Sequence, residues 1–85
     1  MSHDSEADQV TDVEATLNAE GHIAIKAFTW QGQRHFVVSI GRQWREADQR
    51  RVLVQTTSGE TIELAVTMPA MRWTAKLVAQ RSFAV

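Results

Sequence analysis

The stretch FTWQGQRHFVVSIGRQW, residues Phe28–Trp44, decides how this chain is built. Gln31-Gly32 reads as a tight reversal, because glycine accepts a positive φ without steric cost. Before it, His22 to Trp30 has the composition of a strand, with Ile23, Ile25 and Ala27 on one face and Ala24, Phe28 and Trp30 on the other. Apolar groups on both faces predict a curved or closed sheet, or a bulge near Lys26. After the reversal, Gln33 to Ile40 predicts a second strand with Phe36, Val38 and Ile40 turned inward. Gly41 marks a bulge or corner in it, and Arg42 to Glu46 continues beyond.

The same signals recur towards the C-terminus. Arg50–Thr57 alternates as a strand, Ser58-Gly59 marks a hairpin, and Glu60–Thr67 places Ile62, Leu64 and Val66 on one face. Pro69 closes that strand because it has no N–H to donate. Met71–Val78 forms a last strand with Met71, Trp73, Ala75 and Leu77 on one side, and 79–85 is a tail or short edge segment. Towards the N-terminus, Val10, Val13 and Leu17 have helical spacing, whereas Val13, Ala15 and Leu17 alternate like a strand. The turn Asn18–Gly21 followed at once by Ile23 favours the strand. Residues 1–11 read as a disordered acidic leader and 12–85 as one small β-domain. The expectation is an all-β, mainly antiparallel domain, a five- to six-stranded meander curling into a small barrel. The alternative is an α+β domain with a short N-terminal helix.

An 85-residue chain supports one modest core. It contains no cysteine to reinforce that core and has no apolar run of the roughly 18–20 residues a membrane helix needs. The acidic start lacks the order of a signal peptide, which points to the cytoplasm. Charge is divided unevenly. Asp4, Glu6, Asp8, Asp12, Glu14 and Glu20 lie in residues 1–20 with no basic partner, while residues 21–85 carry nine Lys and Arg against four acids. Such a split fits either a solubilising tail or a tail that masks a polyanion-binding surface. On the second reading, residues 4–14 fold back loosely on the arginines.

Few residues invite catalysis or metal binding. His3, His22 and His35 have no ligand spacing and read as surface or turn histidines. Ser39, Ser58 and Ser82 lack a nucleophile turn, and Gly32, Gly41 and Gly59 are isolated, so no phosphate-cradling loop is formed. The expectation is a non-enzyme without metal or cofactor. The constellation with chemical content is arginine beside tryptophan: Arg34, Arg42, Trp44, Arg45, Arg50 and Arg51, with Arg72 and Lys76 on the last strand. Arginine makes bidentate contacts with anions and stacks on planar rings. Trp73 is expected in the core, and Trp44, between Gln43 and Arg45, is the candidate exposed platform.

Several of these positions carry a resemblance to a family. Phe28-x-Trp30-x-Gly32-x-Arg34-His35-x-Val37, Trp44-Arg45, Arg51-Val52, Gly59, Glu63-Leu64, Trp73 and Leu77 resemble a small bacterial β-domain family. Its members occur alone and at the C-terminal end of Y-family-polymerase-like mutagenesis proteins. The resemblance spans roughly residues 22–78, and the absence of tyrosine departs from the family's usual aromatic last strands. It implies a mostly β domain without catalytic residues, found in multi-protein assemblies of DNA-damage tolerance. Two functions are therefore expected. One is an adaptor module acting through protein–protein contacts, since exposed Trp and Arg are favoured at interface hot spots. The other is a nucleic-acid-binding accessory domain, laying a backbone against the arginines and stacking bases on Trp44. In both, Arg34, Arg42, Trp44, Arg45, Arg50 and Arg51 do the contacting.

Overall fold

The computed structural model describes residues 9–20, 22–68 and 70–80. They form six antiparallel strands: β1 (Gln9–Leu17), β2 (Ile23–Trp30), β3 (Gln33–Glu46), β4 (Gln49–Thr56), β5 (Glu60–Thr67) and β6 (Arg72–Gln80). Each strand pairs with the next, and β1 returns to pair with β6, which closes the sheet into a barrel. No helix is present among the described residues, so the strand reading of the N-terminal segment holds. β1 begins at Gln9, inside the stretch 1–11 expected to be disordered, because Val10 is buried between Trp30 and Trp73 as its cross-strand partners. The rest of that leader and the tail after Gln80 lie outside the described residues.

Turn chemistry sets the registers. Gln31 and Gly32 have φ of +54° and +75°, as a type I′ hairpin turn requires at both central positions. The β4–β5 connection uses three residues: Gly59 has φ +86°, and its N–H donates to the Thr56 carbonyl at 3.0 Å. Two bulges fall where the sequence placed them. Ala15 faces Ile25 and Glu14 faces Ala27, which leaves Lys26 as an extra residue in β2. Ile40 faces Val54 and Gln43 faces Val52, which puts three steps of β3 against two of β4 around Gly41.

The core joins Ile23, Ile25, Phe28 and Trp30 of β2 to Val52 and Val54 of β4, Ile62, Leu64 and Val66 of β5, and Ala75 of β6. The inward set of β5 is as the alternation predicts. Trp73 packs against this cluster but is only half-buried. The inward set of β3 is not as predicted. His35 is buried and stacks on Phe28, with ring centroids 5.2 Å apart and planes 16° from parallel. Val37 packs on the core, whereas Phe36 and Val38 are 55% and 61% exposed. The hairpin register pairs Phe28 with His35 and so commits β3 to the opposite phase. An extra residue at Val38 then resets it before Ile40. His35 is therefore a core residue rather than a surface histidine, with its Nδ1 3.4 Å from Glu60 Oε1. On β6, Met71 and Leu77 are likewise exposed, at 53% and 44%.

Two stability outcomes follow from this architecture. Phe28 is fully buried, so Phe28→Ala should lower the unfolding free energy by about 3–5 kcal/mol in urea titration. Ala47, in the β3–β4 turn, has φ +55°, where a Cβ is strained. Ala47→Gly should raise stability by about 1 kcal/mol, and a loss of stability would contradict the turn geometry.

Candidate functional site

The end of the barrel holding the β1–β2, β3–β4 and β5–β6 connections gathers most of the Arg/Trp set. Arg45 and Arg50 are direct cross-strand partners, Arg50 pairs onward with Val66, and Val66 with Trp73. The two arginines thus continue an inward-facing row that runs into the core, and they stand at its open rim. Like charges placed directly opposite on neighbouring strands repel. Beside them lies an apolar groove of about 140 Å³ walled by Ala15, Leu17, Val66, Met68, Met71 and Trp73, with Arg50 at its border. Leu17, Met68 and Met71 are 62%, 42% and 53% exposed. Among the described residues β1 pairs with β6 at Gln9 and Val10, and its far end, Ala15–Leu17, has no β6 partner and borders the groove.

The outward face carries the rest. Trp44 is half-buried opposite Arg51, and the Arg42 guanidinium sits 5.0 Å from its ring centroid, a cation–π contact. Arg51 is neutralised in place. Its Nη1 donates to Glu63 Oε2 and its Nη2 to Gln49 Oε1 at 2.6 Å, while Nε lies 3.0 Å from Glu46 Oε1 without hydrogen-bond alignment. A second hollow of about 190 Å³ joins the two faces, bordered by Glu20, His22, Gln43, Trp44, Arg45 and Arg50.

Arg34 is separate from this group. Its Nη1 donates to the Asp12 carbonyl at 2.7 Å and to Thr29 Oγ1 at 3.1 Å, and its Nη2 donates to Glu14 Oε2 at 2.6 Å. Asp12 has φ +50° at a bulge in β1, so Arg34 ties an irregular strand to its neighbours. Asp12 and Glu14 are accordingly parts of a strand and not of a loosely folded mask. Asp4, Glu6 and Asp8 lie outside the described residues. The structure thus brings together Arg42, Trp44, Arg45, Arg50 and Arg51 and sets Arg34 apart.

The sequence reading passed over Leu17, Met68 and Met71. The signal available was Met68 and Met71 close together between two strands, flexible side chains suited to adaptable contacts. Among the described residues no three His, Asp or Glu side chains group as a metal site, and no helix is long and apolar enough to cross a membrane. Comparison of the chain with protein-family models, with curated proteins and with solved structures finds no match.

The Arg51–Glu63 contact is half-buried, with side chains 27% and 16% exposed. Arg51→Ala leaves Glu63 without its cation and should destabilise the fold by about 1–3 kcal/mol. The double variant with Glu63→Ala should recover part of that loss, and strict additivity in a double-mutant cycle would show that the two side chains do not couple.

Proposed function

We propose that this protein is a non-enzymatic binding module of the cytoplasm that contacts another protein through the open end of its barrel. The observation that carries this reading is the exposed Arg45 at the rim of the open end, beside the groove of Leu17, Met68, Met71 and Trp73. An apolar anchor next to an acidic group is the partner chemistry that satisfies both parts. The apolar anchor fills the groove, and the anion meets the Arg45 guanidinium. The likeness of residues 22–78 to the C-terminal domain of Y-family-polymerase-like proteins supplies a setting, the protein assemblies of DNA-damage tolerance.

The second reading, nucleic-acid binding, is favoured by the Arg42–Trp44 contact, since an arginine held over an aromatic ring forms a stacking platform. It is weakened by the state of the other arginines. Arg34 and Arg51 are already paired with Glu14, Glu46 and Glu63, and phosphate-backbone binding depends on cations available for counterion release.

Affinity capture from a lysate of the native cell tests the first reading, with the Arg45→Glu/Met71→Glu variant as matched control. A protein retained by the wild type and lost from the variant is expected; equal retention, or none, rejects the open end as the contact surface. Tryptophan fluorescence titrated with single- and double-stranded DNA at two salt concentrations tests the second. Trp30 is buried and Trp73 lines the groove at the open end, so the reporter of the outward Arg42 face is Trp44. On the protein-binding reading its emission stays unchanged at low salt, and saturable, salt-sensitive quenching would shift the function to nucleic acid.

A further inference from the structure

The wall of the barrel is incomplete between β2 and β3. Their ladder covers only Ala27–Trp30 against Gln33–Phe36. Beyond it, β2 runs on through Lys26–Ile23 and β3 through Val37–Gln43, with no pairing between them. At the far end of this gap the Gln43 side chain bridges the opening. Its Oε1 accepts from the Ile23 N–H at 3.0 Å, and its Nε2 donates to the Ile23 carbonyl at 2.9 Å. A carboxamide that accepts from an N–H and donates to a C=O does what the peptide unit of an adjacent strand does. Gln43 thus occupies one position of a strand that the described residues do not supply.

The rest of that position is open. Backbone groups alternate in direction along a strand, so Ile25 points its N–H and C=O to the same side as Ile23, towards the gap. On the β3 side, Ile40 faces the buried Val54, has no β2 pairing partner and is 37% exposed. Phe36 and Val38 are exposed on the outer face. The stretch His35–Gly41 has no formally charged Asp, Glu, Lys or Arg and no proline. Residues of those kinds normally protect a strand edge. Lys26, in the β2 bulge, and Arg42, over Trp44, stand exposed on either side of the gap's outer face. Glu14, on the neighbouring strand, is taken up by Arg34.

We propose that the β2–β3 gap is a strand-acceptor site for an extended peptide segment that alternates apolar and acidic residues. An inserted strand presents every second side chain to the interior and the others to solvent. The interior side chains would cover Ile40, and the outer ones would meet Lys26 and Arg42. Main-chain hydrogen bonds supply affinity and the two faces supply selectivity, the mode by which sheet edges recognise peptides. The occupant is a partner's acidic–apolar segment rather than a second copy. The unpaired β3 segment of a second copy, Val37–Gln43, would bring a further Arg42 and no carboxylate to meet Lys26 and Arg42.

The test uses the full chain and two blocked, fluorescein-labelled decapeptides, one alternating valine with glutamate and one alternating valine with lysine. Saturable anisotropy is expected for the glutamate peptide, with affinity about tenfold or more above that for the lysine peptide and falling with salt. The surface double variant Lys26→Glu/Arg42→Glu, which leaves the core untouched, should reverse that preference. In amide NMR spectra the bound peptide should shift and protect Ile25 and Val38–Arg42. Equal binding of the two peptides overturns the proposal, as do shifts confined to the open end around Arg50 and Met71. A doubling of mass with Val38 protected in the absence of peptide overturns it too, since the occupant would then be a second copy.

Discussion

Two short ladders hold the β1–β2 hairpin against the sheet formed by β3, β4, β5 and β6. On one side β2 meets β3 from Ala27–Trp30 to Gln33–Phe36; on the other, among the described residues, β1 meets β6 at Gln9 and Val10. Everything apolar in β2 depends on that closure, because Phe28, Ile25 and Trp30 are buried only if the hairpin lies over Val52, Val54, Ile62 and Leu64. In a chain of 85 residues without disulfides this single layer of side chains is the main source of stability. Stacking of Phe28 on His35 locks the shorter part of the β2–β3 contact in register. Val10, between two tryptophans, does the same at the β1–β6 closure.

Short ladders leave openings, and the candidate sites are these openings. Past Val10, β1 parts from β6 and exposes the groove of Leu17, Met68 and Met71. Past Phe36, β3 parts from β2 and exposes Val38 and Ile40. A fully laddered barrel of this size would have filled both places with its own side chains. The bulges at Lys26, Val38 and Gly41 lie in the β1–β2 and β3–β4 ladders that flank the β2–β3 opening, and a bulge bends the strand that carries it. The charges are arranged to match. Carboxylates neutralise the arginines that staple the closed parts, Arg34 and Arg51, whereas Arg45 directly faces another arginine at an open rim.

Much of this architecture was legible in local sequence. Gln31-Gly32 and Ser58-Gly59 announced their hairpins, Ile62-Leu64-Val66 announced the inward face of β5, and the two-faced composition of Ile23–Trp30 announced a bulge at Lys26. Those features are local, a matter of φ preference and alternation within a few residues. The phase of β3 was not legible. Phe36, Val38 and Ile40 alternate as well as any inward-facing set, and the competing set, His35 and Val37, contains a polar residue. What decides between them is a cross-strand partner, Phe28, whose ring gives the imidazole an apolar surface to stack on. The candidate site was half legible: clustering in sequence found Arg42, Trp44, Arg45, Arg50 and Arg51. It also included Arg34, whose role depends on a bulge in β1 that no local pattern reveals.

The sequence by itself determined the class of protein: small, all-β, antiparallel, joined by hairpins and rich in arginine near its middle. Those properties follow from turn glycines, alternation and composition, which act over a few residues regardless of what lies across the sheet. Only the tertiary structure decided which arginines are held by carboxylates and which face open grooves. It alone set Leu17 beside Met71 and turned Gln43 into a surrogate for a missing strand. The physical reason is that pairing partners are brought together by barrel closure. Glu14 reaches Arg34 and Gln43 reaches Ile23 over separations of 20 residues, so whether a side chain is neutralised, buried or left open is a property of the closed barrel and not of its own neighbourhood in the chain.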